Sequence, residues 1–368
     1  MVIKTLRKFK NWIIFGVIAG VALPASANDL SKLNLPAGFK IEKWADVPGA
    51  RTIRLSPDNQ SVFVGTRSSR IYKIDLQKKN YTAGPVEVFA NDLNVANGID
   101  LDKDGNLVIA EQHRVIRILK NGKRQILVKA GLLPDRRHHG WRYAGFGPDG
   151  TYYVAVGAPC NICEVKGVEG TILRFDPVNW RPSIYAKGVR NSVGFDWHPD
   201  SGKMYFTDNG GDNLGDDIPP DELNRVDKAG DHYGYPFLYG NNIPYPQFAN
   251  AVKPSNPIVP QVNFAAHVAS LGIDFYEGNG FPKKYQKSAF VAQRGSWNRT
   301  DPIGYRIVNV QFDDKGNAVS NTVFIDGWLR PDGEVLGRPV DLEELPDGSL
   351  LISDDYSDVI YRVTYQQP

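Results

Sequence analysis

The chain has 368 residues, with 43 Lys and Arg against 41 Asp and Glu and a formal net charge of +2. Four of the cations (Lys4, Arg7, Lys8 and Lys10) lie in the first ten residues, so without residues 1–27 the net charge falls by four, to −2. That leaves no dense basic patch of the kind nucleic-acid binding requires, and no later apolar segment approaches the roughly 20 residues needed to cross a bilayer.

The N-terminus runs from this basic head through an apolar stretch, Trp12 to about Leu23, to Pro24 and the small residues Ala25-Ser26-Ala27. That order is the pattern of a secretory signal peptide. Cleavage is expected after Ala27, with a periplasmic or secreted mature protein. Residues 28–368 are expected to form a single catalytic domain.

From residue 53 onward a unit repeats: an apolar segment, a Pro-Asp-Gly-like turn, a second apolar segment. The turns fall at Pro57-Asp58, Asp104-Gly105, Pro148-Asp149-Gly150, Pro199-Asp200 and Pro346-Asp347-Gly348. Turns of this composition close tight hairpins. A third strand follows in several copies, as in Arg70–Asp75, Val115–Ile118, Thr171–Phe175 and Val359–Val363. A degenerate copy, Leu271–Tyr276 and Ser288–Ala292 around Gly280, fills the gap before the last. Short strands recurring every 40–50 residues or so predict propeller blades. The expected fold is therefore all-β: a six-bladed β-propeller of four-stranded antiparallel blades. Residues 207–266, rich in Asp, Asn, Gly and Pro, read as a long loop insertion after the fourth blade's inner strands.

The only cysteines, Cys160 and Cys163, are spaced for a short local disulfide in an oxidising compartment. A structural zinc site would need a second ligand pair. Glu164 follows Cys163, so there is no haem-attachment motif, and any electrons released must go to a separate acceptor.

Propellers build sites from loops at one mouth of the central channel. Polar residues just before a blade's first strand, or just after its second, are therefore the candidates. Arg137-His138-His139-Gly140-Trp141-Arg142 precedes the third blade and suits proton transfer, because neighbouring cations lower a histidine pKa. Gly188-Val189-Arg190-Asn191 precedes the fourth blade and puts a cation where an oxyanion could develop. Asn209-Gly210-Gly211-Asp212, with Asp221 and Glu222 beyond, offers the hard oxygen ligands calcium takes, though not at EF-hand spacing. Arg294 and Arg299 follow the fifth blade's strand and Arg338 precedes the last blade. Arginines at equivalent blade positions would draw a polyanionic ligand to the channel.

These residues, in this order, resemble the glucose/sorbosone dehydrogenase family of soluble enzymes dependent on pyrroloquinoline quinone (PQQ). The resemblance spans nearly all of residues 28–368. It rests on His139 ahead of Gly147-Pro-Asp-Gly150, Gly188-x-Arg190-Asn191, Asp221-Glu222-x-Asn224 and Gly230-Asp-His-Tyr233-Gly-Tyr-Pro236. It implies PQQ over the channel mouth, His139 as general base and Arg190 stabilising charge on the quinone oxygen. It further implies cofactor contacts from Asn191, His267, Arg294 and Arg338. Calcium would be held by carbonyls at Gly210 and Gly211, with a further calcium site at Asp221, Glu222 and Tyr233. Leu336 stands where the family has a second arginine and His267 where it has a threonine. These departures are closer to the sorbosone dehydrogenase branch. The implied reaction is oxidation of an aldose, sorbosone or related aldehyde or alcohol, with a quinone or cytochrome as external acceptor. Two other readings fit the fold: a calcium-dependent lactonase using Asn97, Asn191 and Asp341, and a non-catalytic binding propeller.

Overall fold

The computed structural model describes residues 29–77 and 79–366. The expected leader and its cleavage point lie outside the described residues. No helix among the described residues is long and apolar enough to cross a membrane.

Six antiparallel sheets surround one axis, each with its first strand innermost. Blade one is Ile53–Leu55, Ser61–Val64, Ile71–Gln77 and Thr82–Ala90; blade two is Gly98–Leu101, Leu107–Ala110, Val115–Ile118 and Arg124–Val128. Blade three is Ala144–Phe146, Tyr152–Val156, Thr171–Phe175 and Pro182–Lys187; blade four is Phe195–Trp197, Met204–Asp208, Pro220–Arg225 and Val262–Ala266. Blade five is Ser270–Phe275, Ala289–Gln293, Arg306–Phe312 and Ala318–Ile325. Blade six takes Pro339–Glu344, Leu350–Asp354 and Val359–Tyr365 from the end of the chain. Its outer strand is Phe39–Asp46, from the start, paired antiparallel with Val359–Tyr365.

The second strand of every blade is buried along its whole length. Blades cover both its faces, which is why these segments are continuous apolar runs rather than alternating ones. Outer strands have water on one side: Thr82–Ala90 and Ala318–Ile325 bury only their last residues. The core is accordingly divided into wedges between neighbouring blades. Val62 and Ile74 of blade one meet Leu351 and Ile360 of blade six, and Phe290 and Ile307 of blade five meet Leu350 and Tyr361. In the hairpin turns, Asp149 and Asp347 accept the amide two residues on, while Gly150 and Gly348 take φ of 73° and 75°. That is the left-handed region glycine enters without penalty.

Residues 207–266 are more regular than their composition suggests. They contain the third and fourth strands of blade four, Pro220–Arg225 and Val262–Ala266, and Asp231–His232, which adds parallel to the edge of blade three. Only Leu223 marks Asp221-Glu222-Leu223-Asn224 as apolar, so the strand has no sequence pattern of its own. The remaining loop packs a cluster of Tyr235, Tyr239 and Tyr245 against Ala158.

Candidate active site

Loops that precede first strands and follow second strands emerge at the same end of the axis and enclose a cavity of about 630 Å³. Its walls include His139, Arg190, Asn191, Gly210, Asp221, His267, Arg294 and Arg338. They also include Arg51, Arg67, Trp141 and Trp297.

His139 is held in the left-handed region, with φ 48°. Its Nδ1 lies 2.9 Å from the Ala158 carbonyl, so Nδ1 carries the proton and Nε2 is left as the lone-pair nitrogen. Burial, the Arg190 charge and His138 together push its pKa down to about 2. Gly157 packs so closely that a Cβ there would come within 2.5 Å of the His139 Cβ.

Arg190 is buried and highly ordered by acceptors. Nε donates to Asn161 O (2.9 Å), Nη1 to Asn209 O (3.1 Å), and Nη2 to Asn161 Oδ1 and Asp212 Oδ2 (both 2.8 Å). The amides of Arg190 and Asn191 donate to the Asp208 carboxylate. Cys160 and Cys163 form the expected disulfide, and it closes the loop that carries Asn161. On the opposite wall, Asp355 accepts from both Arg51 and Arg294. Arg338 donates to Tyr305 Oη (3.1 Å), and His267 Nε2 bonds the Gly215 carbonyl (2.8 Å). Arg51 is 1% exposed, yet its Nη2 has no partner among the described residues. A buried guanidinium nitrogen without an acceptor is costly unless a ligand supplies one.

Gly210 and Gly211 lie together beside Asp221, whose carboxylate accepts the amides of Gly210 (3.0 Å) and Ser270 (2.8 Å). Neither glycine carbonyl accepts a hydrogen bond among the described residues. Asp221, Glu222 and Tyr233 are not brought together as one metal site. Successive strand residues face opposite ways, so Glu222 turns from the cavity to accept from Gly240 N (2.7 Å) and Asn224 Nδ2 (3.0 Å). The Tyr233 ring packs on Phe206 and its hydroxyl donates to Arg225 O (2.9 Å). No group of three or more His, Cys, Asp or Glu among the described residues could hold a metal by side chains. Burial, then Asp208 nearby, nevertheless raises the Glu222 pKa to about 8, and burial raises Asp208 and Asp221 to about 6.

Of the axial set Asn97, Asn191 and Asp341, two members are committed to arginines. Asn97 accepts from Arg51 Nε (2.7 Å) and donates to Arg142 O (2.9 Å), while Asp341 is paired with Arg54 (3.2 Å). Arg51, Arg67 and Asp355 carry no motif and were not among the expected site residues. Arg51 does stand just before a first strand, and Arg67 and Asp355 just after second strands, the positions that mark the other site residues.

Fold and site together define a six-bladed propeller with a cationic, histidine-bearing cavity at one mouth of its axis. The chain belongs to the TrAA12-like family, whose model matches residues 159–366. A Borreliella burgdorferi protein is 36% identical over 357 residues, 92% of each chain. The PQQ domain of pyranose dehydrogenase from Coprinopsis cinerea superposes with a TM-score of 0.76 at 18% identity, over 90% of this chain and 97% of that one. The calcium structure of the Trichoderma reesei carbohydrate-active enzyme of family AA12 gives 0.75 at 20% identity, over 91% and 97%. At these identities the two structures establish the shared fold.

Proposed function

We propose that the protein is an exported oxidoreductase that uses PQQ to oxidise an aldose, sorbosone or a related aldehyde or alcohol, passing electrons to an external quinone or cytochrome. The observation that carries this reading is a neutral, buried imidazole in a cavity where guanidiniums outnumber carboxylates. Arg51 and Arg294 share one carboxylate, Asp355; among the described residues Arg338 has only the Tyr305 hydroxyl, and Arg51 has an unused donor. A flat tricarboxylate suits that excess charge. Similarity to the PQQ domain of a pyranose dehydrogenase supports the choice of anion.

PQQ, when bound, supplies a quinone that accepts two electrons as hydride. The protein supplies orientation and charge. Arg51, Arg294 and Arg338, with Asn191 and His267, would hold its carboxylates and edges. The free carbonyls of Gly210 and Gly211 would hold calcium, and the raised carboxyls of Asp208 and Asp221 are a setting that a divalent cation relieves. His139 accepts the substrate hydroxyl proton at Nε2, because Nδ1–H is committed to Ala158 O. Arg190, immobilised by Asn161, Asn209 and Asp212, presents fixed positive charge without reorganising.

The test is an absorbance titration of the purified protein with PQQ, with and without calcium, followed by dye reduction with a panel of sugars. Saturable, calcium-enhanced binding and sugar-dependent dye reduction are expected. No PQQ binding, together with lactone hydrolysis, would reject the reading.

A further inference from the structure

A second cavity of about 630 Å³ lies beside the first, at the same mouth, walled by the loop 66–70 of blade one and by residues of blades five and six. The two cavities share Arg51, Arg67 and Arg294; the second adds Arg70 with Ser68 and Ser69. Four arginines, of which Arg67 and Arg70 are exposed, therefore line a cavity that holds one carboxylate, Asp355. That carboxylate is already bonded to Arg51 (2.5 Å) and Arg294 (2.8 Å). Arg67 lies over the Trp141 ring at 3.6 Å, and neither it nor Arg70 has an ion-pair partner among the described residues. The unpartnered Nη2 of the buried Arg51 belongs to a residue lining both cavities.

The charge exceeds what an ion pair inside the protein satisfies, and it extends away from His139 into a space beside it. We propose that this side cavity is a carboxylate subsite, and that the sugar oxidised next to it is an acidic one, of the uronic acid class. Arg67 and Arg70, the two arginines not assigned to the cofactor, hold the sugar's carboxylate, and Trp141, two residues from His139, offers the sugar an apolar face. This deepens the reading of the oxidation site and rests on it for the reaction. The binding itself needs no oxidation.

The test uses the full chain and reads Trp fluorescence and calorimetry during titration with glucuronate, glucose or acetate. Glucuronate is expected to bind about tenfold or more tightly than glucose, the scale of one charge-assisted hydrogen bond, with affinity falling as salt rises. Arg70→Gln and Arg67→Gln should each abolish most of that preference, and Arg70→Gln, which lies outside the first cavity, should leave glucose binding and the thermal midpoint unchanged. Equal binding of glucose and glucuronate, or full retention of the preference in both variants, overturns the proposal. Acetate binding as tightly as glucuronate would mean a free-anion site and overturns the substrate assignment. A protein that prefers glucuronate but never takes up PQQ supports the subsite and counts against the oxidoreductase reading, so the two failures are distinct.

Discussion

His139 shows how a residue's environment decides its chemistry. An ordinary histidine is half charged near pH 6.5. Here burial and the Arg190 charge disfavour the imidazolium and push the pKa down to about 2, and the Ala158 carbonyl selects the tautomer. The neutral base form therefore persists as pH falls, and the acid limb of kcat/KM should lie below 6.5. An anionic ligand that offsets Arg190 would raise the limb without carrying it past the ordinary value. A limb at or above pH 6.5 would show that another group titrates. His139→Gln keeps the polar contact to Ala158 but removes the base, and should lower kcat/KM by about 10²–10⁴-fold. Stopped-flow binding should show PQQ affinity changed much less. The same variant losing PQQ binding in proportion would make the imidazole a ligand contact instead.

At the scale of elements, the segment Ala158–Cys163 links three walls of the cavity. Ala158 O fixes His139, Asn161 takes two donors from Arg190, and Asn161 also exchanges bonds with the Asp212 backbone (2.7 and 2.9 Å). Tyr235 Oη meets both Cys163 N and Asn161 O (each 3.2 Å). The disulfide restricts a loop of only a few residues, so the stability it adds is below the ~3 kcal/mol of a 15-residue loop. Its larger effect is on geometry. Cys160→Ser/Cys163→Ser should weaken PQQ binding several-fold and lower kcat while moving the thermal midpoint little. A variant with unchanged PQQ affinity and kcat would relegate the loop to packing. The blades themselves were legible because each Pro-Asp-Gly turn separates two apolar runs. The third strand of blade four was not, since Asp221 and Glu222 are spent on backbone amides and Leu223 is its one residue in the apolar cluster. His139, Arg190 and Arg338 were found because they sit in motifs. Arg51, Arg67 and Asp355 are single residues in unmarked loops, and only their common position relative to blade strands connects them.

The propeller closes by pairing Phe39–Asp46 with Val359–Tyr365 in blade six. Phe39 packs on Phe281, Phe324 and Tyr365, so the outer strand of blade six is fastened to blades five and six. Closure also forces the six innermost strands to face one another, and this creates a charge problem that no single blade has. Arg54, Asp100, Asp196, Asp274 and Glu343 come from equivalent strands of five blades, with Asp341 beside them. Arg54 pairs with Asp341 (3.2 Å) and Glu343 (3.7 Å) and donates to Tyr143 Oη. Asp100, Asp196 and Glu343 each accept a backbone amide from the next blade, which ties neighbouring blades together. Asp274 has no such partner for Oδ2. Burial first, then Asp196, Glu343, Glu344 and Asp341, push its pKa well above the ordinary carboxyl value. A carboxyl raised in the folded state binds more protons there than in the unfolded chain, so its contribution to stability is present below about pH 4 and is lost as pH rises through its folded pKa. Asp274→Asn removes that loss. It should raise the thermal midpoint at pH 8 and change it little at pH 4, with a gain of roughly 1–2 °C per kcal/mol in a chain of this size. Calorimetric scans at the two pH values distinguish this from a general packing effect, which would shift both alike. A midpoint lowered at pH 8 would mean that the ionised Asp274 is stabilised by Arg54 through the channel, and that the ring is balanced rather than overcharged.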